Sequence, residues 1–240
     1  MNVYLESKKL KRTGFFSVFL GGGILAAVVP AANMAVRSEM YLQMDLSPIQ
    51  VLMNANWQIM AMFNILLVIV GSCLMYHIEF ADHAMQKIKS LPIRESSVFG
   101  GKVILLVVMS VFFLLLEAGS VTICTFHWFE IESNFWVEIF RNFGYEFLLL
   151  LPCIILSVFI ASVFENMWVS LGIEVVCVFT ATMLPTDHFL LSLFPFAMPF
   201  QIMAGMHTAQ VNHYIYAVII ECMALGLLEV IFVKVRRLFV

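Results

Sequence analysis

Glu117, Glu174, Glu221 and Glu229 stand in runs of sequence that are otherwise apolar. Burying a carboxylate in hydrocarbon is costly unless the group is protonated, paired or facing water. Glu117, Glu174 and Glu221 are therefore candidates for lining the path of a cationic solute, or for a proton-linked step. Their alternative role is a hydrogen bond to a neighbouring helix. Glu229, close to Lys234, Arg236 and Arg237, is assigned to the edge of its apolar run. These runs lack basic residues, so charge pairing cannot satisfy all of the carboxylates.

The histidines are His77, His83, His127, His188, His207 and His213. Asp187 and His188 with His207 and His213 offer an external metal or acid/base site, yet no two histidines stand four apart on one helix. No H-E-x-x-H occurs and no two acidic residues are adjacent, so no catalytic residue and no metal ligand is assigned. The phosphate-binding pattern G-x-x-x-x-G-K-[ST] is absent as well. Gly100-Gly101-Lys102-Val103 lacks both its spacing and its hydroxyl. Any ATP and Mg²⁺ used by this protein must then sit in a partner chain, and none is expected on this one. Cys73, Cys124, Cys153, Cys177 and Cys222, odd in number and all inside apolar runs, are read as small core residues.

The setting of these residues follows from composition. The chain is 62% hydrophobic and 12% charged, with mean hydropathy +0.97. A soluble domain has about a quarter of its residues charged. The chain is read as an all-α integral membrane protein forming one domain over residues 1–240, with lipid around it and no nucleic acid as partner.

Six runs are long enough to cross a bilayer: 14–36, 57–77, 103–126, 143–164, 167–184 and 214–233. The first is expected to stay as an anchor, being too long for a cleaved signal, and Gly21-Gly22-Gly23 within it predicts close helix packing. Trp57 opens the second at the interface. Residues 37–56 and 127–142 read as polar loops, and Glu165-Asn166 as a tight turn. Pro152 predicts a kink. Pro185, Pro195 and Pro199 break the segment before the sixth span, which predicts a re-entrant hairpin. Residues 1–13, with Lys8, Lys9, Lys11 and Arg12, read as an amphipathic surface helix. Lys and Arg concentrate in this segment, around residue 90 and in the tail, against Arg37 and Arg141 opposite, which places both termini in the cytoplasm.

Between spans two and three, residues 79–94 form a polar interval with helical period. Phe80, Ala84, Ile88 and Leu91 share a face that Ala81 and Met85 widen, while Asp82, His83, Gln86, Lys87 and Lys89 fill the rest. Pro92 ends the helix. The pattern predicts a short amphipathic helix at the membrane surface, turned toward a partner; the alternative is a solvated loop with one incidental turn.

This layout resembles the permease subunits of type-2 ABC exporters. The resemblance is carried by Glu79 at the end of span two, the basic stretch Lys87 to Lys89, the turn Leu91-Pro92-Ile93-Arg94, and Lys102 opening span three. Length and a Phe/Met-rich core are most similar to the lantibiotic-immunity branch. The resemblance implies a bacterial cytoplasmic-membrane subunit without enzymatic activity, paired with a second permease, identical or homologous. Two copies of an ABC ATPase would drive it to expel a cationic antimicrobial peptide or similar amphipathic substrate. Glu79, Phe80, His83, Ala84, Met85, Lys87, Ile88, Leu91, Pro92 and Arg94 would form the coupling helix to the ATPase. Two other classes stay open: an intramembrane hydrolase using the late histidines and carboxylates, and a scaffold subunit with no path of its own.

Overall fold

Lipid offers no hydrogen bonds, so an apolar chain of this kind must satisfy its backbone internally. The described residues do so with helices and turns alone. A computed structural model describes residues 3–11, 13–81, 95–131, 133–184 and 188–238. In chain order the helices are α1 (Val3–Leu10), α2 (Phe15–Leu42), α3 (Pro48–Phe80), α4 (Glu95–Trp128), α5 (Phe135–Val163), α6 (Met167–Met183), the single turn α7 (Phe189–Ser192) and α8 (Thr208–Leu238). A 3₁₀ turn at Met198–Phe200 lies between α7 and α8. Five helices (α2, α3, α4, α5 and α8) are long and apolar enough to cross a membrane. The sixth apolar helix, α6, has 17 residues, about 25 Å of rise.

Helix α3 is the axis of the bundle. Its most apolar window is 67% buried, against 17% for that of α8 and 28% for that of α2. Around it pack α2, α4, α5, α6 and the 3₁₀ turn, while α1 lies against α4. Gly14, at φ +78°, makes the turn from α1 into α2 that a side chain would strain.

The helices outrun the spans read from hydropathy. The predicted loop 37–56 shrinks to 43–47: the helix breaks at Arg37 (φ −129°, ψ 24°), where the predicted first span ends, but resumes to Leu42, and α3 begins at Pro48. Three interactions explain the correction. Ser47 caps α3 by accepting from the Gln50 N–H at 3.4 Å, and Pro48 has no N–H to leave unbonded at the first position. Asn33, Tyr41 and Asn56 then satisfy one another across α2 and α3: Asn33 Nδ2 donates to Asn56 Oδ1 at 2.9 Å and Tyr41 to Asn33 Oδ1 at 3.2 Å. Likewise the predicted loop 127–142 contracts to 129–134. Trp57, which opens the second predicted span, is 3% exposed, and its indole N–H donates to the Pro199 carbonyl at 3.0 Å. That bond fastens the Pro-broken segment to the axis. The tight turn at 165–166 is present, with the Asn166 side chain accepting from Trp168 N at 3.0 Å.

Small residues set how closely the helices approach. An added Cβ at Gly71 of α3 would meet Phe19 and Leu106 at 2.7 Å, and both of those residues are fully buried. Gly22 and Gly23 similarly face Leu67, and Leu116 with Phe113, whereas Gly21 faces open space. Gly71→Ala is therefore expected to cost about 1–3 kcal/mol by overpacking, and Gly21→Ala to stay within about 0.5 kcal/mol of wild type. Thermal unfolding of the two variants in detergent checks the contrast.

Candidate functional site

The chain comes together around charge at the point where α1, α3 and α4 meet. Lys102, on the second turn of α4, is 1% exposed, as is Glu6 of α1, and Glu79 in the last turn of α3 is 2% exposed. The Lys102 ammonium lies 3.1 Å from Glu79 Oε1 and 3.5 Å from Glu6 Oε2. It also donates to the Met75 carbonyl at 3.0 Å and sits 4.8 Å from the centre of the Tyr76 ring. Lys9 completes the network, 2.9 Å from Glu6 and 3.3 Å from Glu79. Burial works against the Lys9 ammonium, but the hydrogen bond and charge of Glu6 and the charge of Glu79 outweigh it and hold its pKa above the ordinary lysine value. Glu6, Glu79 and Lys102 are buried and Lys9, 37% exposed, closes the network from its rim, so two acids and two bases cancel.

The network sits at the root of residues 82–94. Glu79 ends one flank and Lys102 begins the other, so both flanks and α1 are joined in one body. The placement corrects one expectation. Glu79 and Phe80 belong to α3 and not to a separate helix: Ala81 terminates α3 in an extended conformation (φ −62°, ψ 144°) with its N–H on His77 O. Phe80 packs back on Tyr76, ring centres 6.0 Å apart. Lys102, read in the sequence as opening the third span, is a buried ion-pair partner. His83, Ala84, Met85, Lys87, Ile88, Leu91, Pro92 and Arg94 lie outside the described residues. Glu6 and Lys9 escaped the sequence reading, because a charge pattern on an eight-residue helix looks the same whether solvated or buried.

The three candidate path carboxylates have separate settings. Glu117 of α4 is fully buried and accepts from Asn64 of α3 at 3.1 Å. The same amide donates to Glu146 of α5 at 2.6 Å, a carboxylate the sequence reading passed over although it falls inside the fourth span. Glu174 of α6, also fully buried, takes a long contact of 3.7 Å from the Cys73 thiol. Glu221 is half-buried on α8.

At the other end of the bundle, about 33 Å along α3 from Glu79, the irregular segment between α7 and α8 shapes a cavity. Its volume is about 600 Å³, and Phe189, Phe200, Ile202 and Met206 give it apolar walls. Gln201, Gln210, His213 and Tyr214 supply polar groups without a formal charge pair. Tyr214 donates to Gln201 Oε1 at 3.3 Å and shares a 2.8 Å hydrogen bond with Ser192, so the floor is preset. Gly205, at φ +85°, turns the chain back toward α8. His213 lines this cavity, whereas His188 and His207 do not; Asp187 lies outside the described residues. Among the described residues no three His, Cys, Asp or Glu side chains gather as a metal site.

A helical bundle with several spanning-length apolar helices defines a multi-pass membrane protein. Residues 2–181 match the family model described as ABC-2 family transporter protein, and the chain belongs to that family. It is thereby a membrane subunit of an ABC transporter, with an ABC ATPase as partner. The matched stretch includes all four members of the ion network. No curated protein and no solved structure matches the chain.

Removing one partner from a buried ion pair leaves an uncompensated charge. Lys102→Met is expected to destabilise the protein by about 3–5 kcal/mol. Adding Glu79→Gln to it should recover a large part of that loss by deleting the orphaned carboxylate. Unfolding of the two single variants and the double variant in detergent measures the coupling, and additive losses would show that the two side chains act independently.

Proposed function

We propose that this chain is the permease half of an ABC exporter that expels an amphipathic substrate, a cationic antimicrobial peptide of the lantibiotic kind. Its transmembrane domain occupies residues 1–240, with six spans formed by α2, α3, α4, α5, α6 and α8. Seventeen residues are the lower limit for a span, and α6 fits that role. The distribution of Lys and Arg supports cytoplasmic termini. Residues 82–94 are the coupling element, docking an apolar stripe (Ala84, Met85, Ile88) on an ATPase that binds ATP and Mg²⁺. The assembly is two ATPase copies beneath two permeases, identical or homologous.

One observation carries this reading: the Glu6–Lys9–Glu79–Lys102 network at the root of the coupling segment, with Glu6, Glu79 and Lys102 buried. A coupling element works only if its flanks do not fray when pushed. The buried Lys102 and its two carboxylates resist fraying, since pulling one of them out leaves its opposite buried and underpaired.

At the external end, Glu39, Asp45, Glu130 and Glu138 favour approach of a cationic peptide. The cavity at Phe189, Phe200 and Tyr214 would receive its apolar side chains. Among the candidate path carboxylates, Glu221 is the accessible one in this conformation, since Glu117 and Glu174 are enclosed between helices.

Affinity purification of the whole chain from detergent, wild type beside Ile88→Asp, tests the proposal. The wild type should bring down an ABC ATPase, and the charged variant should lose it by about tenfold or more while eluting as the same monodisperse species. A well-behaved wild type that brings down no ATPase would sink the exporter reading.

A further inference from the structure

Helices α3, α4 and α5 meet at Asn64, Glu117 and Glu146, all 0% exposed. The Asn64 amide spends its two N–H groups on one oxygen of each carboxyl group, at 3.1 Å to Glu117 Oε2 and 2.6 Å to Glu146 Oε1. That leaves Asn64 Oδ1, Glu117 Oε1 and Glu146 Oε2 buried with no hydrogen-bond partner. Five side-chain oxygens thus face one amide's two donors. Among the described residues no Lys, Arg or His forms an ion pair with either carboxyl group; the ion pairs lie instead among Glu6, Lys9, Glu79 and Lys102.

The neighbouring helices supply no positive partner. Helix α2 has no titratable side chain between Phe15 and Val36. On α6, Glu174 is engaged with Cys73 of α3. Tyr145, next to Glu146, turns into an apolar cluster with Met198, Val211 and Tyr214. Cys124 of α4 lies about two turns beyond Glu117, and α8 contributes Tyr214 and the half-buried Glu221. The charge that each carboxylate meets is the other one. Two unpaired carboxylates cannot be held this close in a dry interior, and an excess of buried acceptors costs as much again.

We propose that Asn64, Glu117 and Glu146 form an internal site for a small monovalent cation, a second proton or a sodium ion, taken up when one of the two carboxyl groups already holds a proton. Either balances the remaining carboxylate and supplies the positive partner that this cluster of oxygens lacks. Carboxylate and amide oxygens are hard ligands, and the cluster holds neither thiol nor imidazole, which argues against soft metals. Enclosure on all sides requires the ion to enter without its water shell. Once bound, it draws the second, third and fourth long helices together, and its loss leaves an unpaired carboxylate at their common contact. The proposal concerns the packing of α3, α4 and α5 and does not depend on the exporter reading.

The test uses the purified full chain in detergent at constant ionic strength. Thermal unfolding is followed in two series, one replacing choline chloride by NaCl at fixed pH and one varying pH in choline alone. The wild-type Tm should rise saturably by about 5 °C or more in at least one series. A response to NaCl alone identifies sodium, and a response to acidification alone identifies the proton. The double variant Glu117→Gln/Glu146→Gln removes both charges and keeps the shape, so it should fold and lose the response. Comparison with that variant also subtracts titration elsewhere, including at the Glu6–Lys102 network. A wild-type Tm indifferent to both series would overturn the proposal, and so would a double variant that responds like the wild type.

Discussion

A charge withdrawn from water has to be cancelled where it lies, and the organisation of this protein follows from how it does so. Lys102 is the clearest case. A lysine in an apolar helix normally extends its stem until the ammonium reaches water. Here it reaches two carboxylates, a carbonyl and the face of Tyr76 instead. Because Glu6 and Glu79 come from different helices, neutralising one lysine fixes the mutual position of α1, α3 and α4. A short helix such as α1 has little stability of its own in eight residues; its place is set by the acid it delivers to Lys102 and by Leu10 in the core.

The same constraint accounts for the polar side chains deeper in the bundle. Asn33, Tyr41 and Asn56 satisfy one another across two helices. Trp57 serves a carbonyl in the backbone broken by Pro195 and Pro199, where regular bonding stops. Where no polar group is available, close approach takes over, and Gly22, Gly23 and Gly71 mark the places where one helix accepts the side chains of another.

Much of the helical architecture was legible in the sequence because hydropathy reports it directly. Apolar runs longer than a bilayer's thickness have few alternatives to helix. The ends were less legible, since the stretches at 37–42, 48–56 and 135–142 are polar enough to read as loops, while Tyr41, Asn56 and the Asn142 amide hydrogen-bond within or between helices. The candidate site was legible only by halves. Glu79 and Lys102 stood out by type and position, whereas Glu6 and Lys9 did not, because partners far apart in the chain become visible only when the helices are placed side by side. Asn64 was hidden for the same reason. Glu146 carried a signal, a carboxylate four residues into an apolar run, of the same kind that singled out Glu117.

Helix α3 passes through three polar layers of the molecule. It contributes Glu79 to the ion network, Asn64 to the carboxyl pair about 22 Å further along, and Trp57 to the broken segment about two turns beyond that. It is also the helix most enclosed by its neighbours. A helix held by polar bonds at both ends and in its middle, and packed against glycine at Gly71, has few soft places at which to bend. A push delivered to the root of α3 from residues 82–94 would then travel along it as displacement of the whole helix, with little loss to fraying. The carbonyl of Pro199 moves with Trp57, and Phe200, the next residue, lines the cavity at the far end of the bundle. On the exporter reading, the partner's ATPase cycle thus reaches the outer cavity through contacts already present, and the carboxyl pair at Asn64 lies on that route as the point where α3 is tied to two other spans at once.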